Sequence, residues 1–213
     1  MPPNVDKGST CTICKKKDAQ LCGRCKSSCY CSKECQANDW PNHKLLCKSF
    51  SEFDLSTRPS ENHFRGIFFP EDQSKPQVVW LESPLHEVDG YKWTFPDLEP
   101  FLGPNTLPER VQVQTDAILQ RSLTDTIVIC CRSNFAGSQK NKSTSAVLAP
   151  KNLAASFAAL PGQPFNWCGP IVIVGKKGKK YDMDSAACRD LDMSDFRYIA
   201  DYLLSYTRLS PHV

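Results

Sequence analysis

The 213-residue sequence has no apolar run near the roughly 20 residues that a membrane-spanning helix needs, so no membrane span is expected. Its opening, MPPNVDKGST, has no apolar stretch of the kind that follows the charged start of a signal peptide. The expectation is an intracellular protein, in nucleus or cytoplasm, with reduced thiols. No Gly-x-Gly occurs, and neither a phosphate-binding loop nor a Ser/His/Asp order is present. Three of the four histidines (His63, His86 and His212) stand isolated and read as surface or structural residues. Acid and base nearly balance at a formal +3, too little for a strongly basic nucleic-acid surface. With 40% hydrophobic and 23% charged residues the chain is not wholly disordered, and its length suits one ordinary domain plus a small module.

What is abundant is cysteine: 12 residues, eight of them within the first 47. In a reducing compartment, closely spaced cysteines bind metal or do redox chemistry. From residue 11 they fall, with one histidine, into four pairs: Cys11/Cys14, Cys22/Cys25, Cys31/Cys35 and His43/Cys47. Eight soft or borderline ligands are what two tetrahedral Zn²⁺ ions require, with no open position left over. Pairs separated by two residues present both sulfurs from one turn, and pairs separated by three put both ligands on one helix face. Ser32 can cap a short helix carrying Cys35, and Pro41 suits the first turn of a second helix carrying His43 and Cys47. About 50 residues with few large apolar side chains cannot hold a fold by burial alone. Structural zinc contributes apparent binding energies of roughly 10–16 kcal/mol, which become folding energy. An iron–sulfur cluster would fit His43 poorly, and a thioredoxin-like motif needs one pair, not four. Cys29 falls outside the pairing and reads as a free thiol.

The string Cys-x2-Cys-x7-Cys-x2-Cys-x5-Cys-x3-Cys-x7-His-x3-Cys resembles the MYND zinc finger at every spacing, and the likeness extends to Gln36 and Trp40. Spacing alone leaves a sequential pairing of ligands open. The resemblance implies an interleaved one, with Cys11, Cys14, Cys31 and Cys35 on one ion and Cys22, Cys25, His43 and Cys47 on the other. It also implies a protein-interaction module that takes a short, proline-containing peptide beside Gln36, as backbone partner, and Trp40, as apolar wall. Trp40 serves equally as a cover for the finger's small core. Fully liganded zinc cannot hold an activated water, so the finger is not expected to catalyse. Lys15, Lys16, Lys17, Arg24 and Lys26 suggest nucleic acid as a competing partner. Residues 1–50 hold nine Lys/Arg against four Asp/Glu, whereas residues 51–213 hold 17 against 19. Seven thiolates and two zincs reduce the finger's charge to about +2 and the chain's to about 0. That removes most of the phosphate attraction, and no long recognition helix is expected.

The expected organisation is a finger over 1–50, a linker over 51–60 (SEFDLSTRPS) and a mixed α+β domain of unknown function over 61–213, ending in an amphipathic helix. Phe64–Phe69 and Gln77–Glu82 read as strands, and Thr126–Cys131 and Ile171–Val174 as buried strands. Residues 96–108 carry four prolines and read as an irregular loop, and Leu153–Leu160 as a helix. Phe196, Ile199, Ala200, Leu203 and Leu204 recur at helical spacing after Asp192 and Asp195, which can cap the start. Cys130, Cys131, Cys168 and Cys188 lack metal-pair spacing, and one of Cys130 and Cys131 should pack inward. The acidic residues Asp182, Asp184, Asp190, Asp192 and Asp195 lack the glycine and spacing of a calcium loop. GKKGKK (175–180) reads as a lysine-rich loop.

The resemblance raises one enzyme reading, the SET-domain lysine methyltransferases that carry this finger inside the catalytic domain. With ten residues before Cys11, no Gly-x-Gly, and Asn62-His63 lacking the usual flanks, that reading is disfavoured. FPEDQSKPQVVWLE, NKS (141–143), WCGPIVI and CRDLDMSDFRYIADYLLSY are similar to filamentous-fungal proteins with an N-terminal MYND finger and a C-terminal domain to which no reaction is attached. The expectation is a two-zinc docking protein with a protein or peptide partner. The alternative is a C-terminal enzyme or small-molecule binder recruited by the finger, and the third reading is nucleic-acid binding.

Overall fold

The computed structural model describes residues 10–133, 138–149, 166–179 and 187–206. The helix expected over Leu153–Leu160, and Asp182, Asp184 and His212, lie outside the described residues. The sheet grows from its most apolar strand. β9 (Ile171–Lys176) is buried at all six positions. It lies between β3 (His63–Phe69) and β8 (Arg121–Arg132), with β4 (Gln77–Glu82) and β7 (Pro108–Asp116) at the edges, in the order β4-β3-β9-β8-β7. All neighbouring pairs are antiparallel, and the short β10 (Cys188–Arg189) pairs with the end of β9. A continuous apolar run is what a strand covered on both faces requires.

Period-two alternation sorts the side chains into two cores. Ile67, Ile129 and Ile173 align across the register and face α4 (Met193–Ser205), whose Phe196, Ile199, Ala200 and Leu203 are buried. Val128, Cys130, Val172 and Val174 face the other way, onto Leu81, Phe95, Leu98 and Leu102. Cys130 and Cys131 are therefore both buried, one in each core, where a single inward cysteine was expected. The cause is a sheet covered on both faces. α4 starts as expected: the Asp192 carboxylate accepts from the Ser194 and Asp195 backbone N–H groups, and Asp195 reaches back to the Asp192 N–H. Asn141, fully buried, caps α3 (Lys142–Val147) and donates to the Phe69 and Gly169 carbonyls at 2.9 and 2.8 Å. It ties the helix to the end of β3.

Several expectations need correction. The loop over 96–108 contains α2 (Glu99–Leu102), one turn with Pro100 at its start, and Pro108 opens edge strand β7; both are places where proline's missing N–H costs little. GKKGKK is not all loop, because Lys176 completes β9 and is fully buried, donating to the Thr94 carbonyl. A hairpin of β5 (Leu85–Val88) and β6 (Tyr91–Thr94) precedes α2 and turns at Asp89-Gly90, both with positive φ (52° and 80°). The two short helices expected in the finger are one helix, α1 (Lys33–Glu52), which runs through Pro41. A mid-helix proline costs about 3 kcal/mol. That is small beside the zinc binding and apolar burial organised along this one helix.

Residues 51–60 are not a free tether. Ser51 and Glu52 finish α1, Asp54 caps a 3-10 turn over Leu55–Thr57, and the Arg58 guanidinium pairs with Asp190 at 2.6 Å while lying over the Trp80 ring. Leu46 and Phe50 of α1 belong to the same core as Ile67, Phe69 and Phe196, so the N-terminal module and the sheet share one buried interior.

Candidate metal centre

α1 places ligands and core residues on related faces. Its buried residues Asp39, Asn42, His43, Leu46, Cys47 and Phe50 recur every three or four positions. One end of that stripe carries His43 and Cys47, and the other packs on the sheet. Before α1, β1 (Gln20–Leu21) and β2 (Cys29–Tyr30) form a two-stranded ribbon linking the cysteine turns. Lys15 (φ 60°) and Lys26 (φ 54°), each one residue past a Cys-x2-Cys pair, take left-handed backbone that curls the turn around its two sulfurs.

The chain brings all eight predicted ligands together in two groups, Cys11, Cys14, Cys31 and Cys35, and Cys22, Cys25, His43 and Cys47, with the donor atoms of each group within 4.8 Å of one another. Zn–S bonds of about 2.3 Å imply a tetrahedral S···S edge of about 3.8 Å. The sulfurs of Cys31/Cys35, Cys35/Cys14 and Cys22/Cys47 lie 3.7, 3.8 and 3.9 Å apart, and Cys25 Sγ is 3.7 Å from His43 Nε2. Cys14 and Cys31 are closer, at 3.2 Å. A four-thiolate set and a three-thiolate, one-imidazole set, both closed, fit two structural Zn²⁺ ions. The pairing is interleaved, so each ion crosses from one half of the module to the other.

The ionisation of the free ligands differs between the sites. Burial works against ionising Cys11, but the backbone N–H groups of Cys14, Cys31 and Ile13 outweigh it and bring the thiol down to about 6. Burial, with the nearby sulfurs of Cys22 and Cys47, pushes Cys25 up to about 12. Zinc must displace that proton, so metal binding is coupled to pH. Burial pushes the His43 pKa down, against the opposing pull of Asp39, which favours the neutral imidazole that ligates. Tyr30 donates its O–H to Asp39 Oδ2 at 2.5 Å, so its oxygen, 2.8 Å from His43 Nδ1, accepts the imidazole N–H. That fixes the tautomer and leaves Nε2 free for the metal.

The relay continues into α4. Arg197 donates to Asp39 Oδ1 at 3.4 Å and to Asp201 Oδ2 at 2.8 Å, and all three residues are buried. On the other zinc site, Arg121 from β8 donates to the Thr12 and Ile13 carbonyls at 3.0 and 2.6 Å. Thr12 and Ser194 hydroxyls lie 3.3 Å apart, and Ser27 accepts the Met193 N–H at 3.1 Å. Tyr30, Asp39, Arg121 and Arg197 were not read from the sequence as site residues. For Asp39 the signal was present, one helical turn before His43.

Gln36 and Trp40 sit one turn apart on α1. Gln36 is half-buried, and Trp40 is 45% exposed with its ring stacked on His43, 5.9 Å between centroids. Cys29 is half-buried beside the sites, its N–H directed at Thr12 Oγ1. The acidic residues of the last segment are accounted for by neighbours: Asp190 by Arg58 and the Arg65 N–H, Asp192 by the cap, and Asp195 by Arg189.

Residues 11–47 match the MYND finger family. Relatives include the N-lysine methyltransferase SMYD2 of Gallus gallus, 45% identical over 58 residues, and that of Homo sapiens, 43% identical over 58 residues. Each match takes in 26% of this chain and 13% of the relative, so the chain spans about an eighth of the length of these proteins. The likeness is confined to the finger, and the methyltransferase activity in their name is not carried by it. These matches do not reach the later segments for which a likeness to fungal proteins was expected. No solved structure matches the chain. Among the described residues no helix is long and apolar enough to cross a membrane. The matched span, its eight ligands and their interleaved placement make residues 11–47 a MYND zinc finger, a zinc-binding protein-interaction module.

Proposed function

We propose that the finger docks a short, proline-containing peptide of a partner protein between Gln36 and Trp40, and that the sheet domain holds the finger in place. The observation that carries the reading is the setting of Trp40. A large aromatic, 45% exposed, stands on α1 and rests on the zinc ligand His43, so it is carried by a helix rather than by a mobile loop. Proline rings pack on such exposed indole faces at little entropic cost, because the peptide's extended conformation is largely preformed. Gln36, at i−4 from Trp40, offers an amide donor and acceptor for peptide backbone. Both zinc sites are closed, and the finger's part is recognition.

The test is a panel of immobilised proline-containing peptides, probed with zinc-loaded protein, with each hit then titrated against wild type, Trp40→Ala and Gln36→Ala. Truncating a central aromatic anchor should weaken binding by 2 kcal/mol or more, roughly 30-fold. Hits that retain their affinity in both variants, at equal zinc content, would remove the groove from consideration.

A further inference from the structure

The sheet face turned away from the finger carries a second feature. The β5–β6 hairpin, the turn into α2 and the start of β7 border an open surface cavity of about 660 Å³. That volume lies within the roughly 300–1,000 Å³ of small-molecule sites. Its floor is apolar, with Phe95 and Leu98 buried in the core on this side. One wall is Trp93, half-buried and stacked on His86 at 5.3 Å between centroids.

The polar lining is uneven. Glu82, Asp97 and Glu99 face the cavity, and among the described residues none of them forms an ion pair. One guanidinium, Arg110, lines it and is drawn onto the Phe95 ring, 3.7 Å from the centroid. Three carboxylates against one guanidinium disfavour an anionic ligand. A neutral apolar ligand would cover carboxylates without replacing their water. A lone metal ion also fits poorly: among the described residues, the groups of three or more His, Cys, Asp or Glu side chains placed to share an ion are the two zinc sets. The three exposed carboxylates do not converge on one point, and what matches separated negative charges beside an indole face is an extended cation with several charged nitrogens. Each ammonium gains a charge-assisted hydrogen bond, and the alkyl chain between them covers the apolar floor.

We propose that this cavity binds a small aliphatic polyamine, its ammonium groups held by Glu82, Asp97 and Glu99 and its chain laid against Trp93 and Phe95. The site is independent of the Gln36–Trp40 groove. It stands if that groove fails, and falls without affecting it.

The experiment is calorimetric titration of the full, zinc-loaded chain with spermidine, in parallel with tetramethylammonium, succinate and a lysine-rich peptide. Saturable one-to-one binding of spermidine is expected, at least tenfold tighter than tetramethylammonium, with none for succinate. The cavity variant Glu82→Gln/Asp97→Asn/Glu99→Gln should lose at least tenfold in affinity. A surface variant of equal charge change, Glu52→Gln/Glu61→Gln/Asp72→Asn, should bind as wild type. Both variants are first checked for two zincs per chain and an unchanged circular dichroism spectrum. Three results would overturn the proposal: no saturable binding, equal weakening by the two triple variants, or a lysine-rich peptide that binds more tightly than spermidine and is displaced by it only weakly.

Discussion

Replacing Arg197 by methionine tests whether finger and sheet are one cooperative structure. The substitution keeps an unbranched stem of similar width and removes the guanidinium that joins Asp39 of the finger helix to Asp201 of α4. Arg197 is 6% exposed and both aspartates are 1% exposed, so water cannot take its place. Removing one partner of a buried charged network costs about 3–5 kcal/mol, because the remaining charge is left without compensation. For a chain of this size that is a fall in melting temperature of roughly 6–20 °C. The effect should also travel: Asp39 holds Tyr30, and Tyr30 holds the Nδ1 side of His43. Urea unfolding followed by tryptophan fluorescence and by a colorimetric zinc chelator should show both midpoints dropping together. The double variant Arg197→Met/Asp39→Asn, which neutralises the carboxylate left without its cation, should recover at least half of the loss. A cost under about 1 kcal/mol, the value of a surface pair, or a sheet transition that moves while zinc release stays in place, would show that Arg197 does not couple finger and sheet.

Burial and the neighbouring Asp116 carboxylate push the Asp201 carboxyl up to about 8, against the opposing pull of Arg197. The folded state therefore holds a proton that the unfolded chain releases near pH 4. This contribution to stability is complete below about pH 4 and lost as pH rises through about 8, at up to about 1.4 kcal/mol per pH unit. Asp201→Asn should flatten this slope in denaturation curves between pH 5 and 9, and an unchanged slope would contradict the assignment. Stripping both zincs with a high-affinity chelator should raise hydrogen exchange in α1 and in Phe196–Leu204 as well, and protection of α4 that survives metal removal would show the two parts to be separable. Asn141→Ala leaves the Phe69 and Gly169 carbonyls without their donor, and should cost about 2–4 kcal/mol by thermal or urea unfolding. Gly66→Ala should be worse than an ordinary strand substitution. An added Cβ would lie 2.3 Å from Leu81 Cδ1 and 2.9 Å from the Ile173 carbonyl oxygen, so a melting temperature within two degrees of wild type would contradict the packing.

The zinc ligands were legible because metal chemistry constrains both residue type and spacing, and nothing else places seven cysteines and His43 in four close pairs. Their interleaving was not legible from spacing, which allows either pairing. It follows from the β1–β2 ribbon folding Cys22 and Cys25 back toward α1. β9 and α4 were readable from a continuous apolar run and a clean helical period. The β5–β6 hairpin was missed although Asp89-Gly90 is a strong turn signal, because its strands bury little and carry no apolar alternation. α1 was split at Pro41 because local propensity argues for a break there, and metal and core contacts on either side override it. The ordering of residues 51–60 against the sheet has the same origin. SEFDLSTRPS is polar enough to be solvent-exposed, and it is Asp190, some 130 residues away, that draws Arg58 onto the sheet.

Two zinc ions cross-brace the finger, and His43 shares its ion with Cys22, Cys25 and Cys47. Loading the protein with ¹¹³Cd and recording proton–cadmium correlations tests it directly. Two cadmium signals are expected, one coupled to the His43 ring and to the β-protons of Cys22, Cys25 and Cys47, the other to those of Cys11, Cys14, Cys31 and Cys35. A single bound metal, or a His43 signal shared with Cys31 and Cys35, would contradict it.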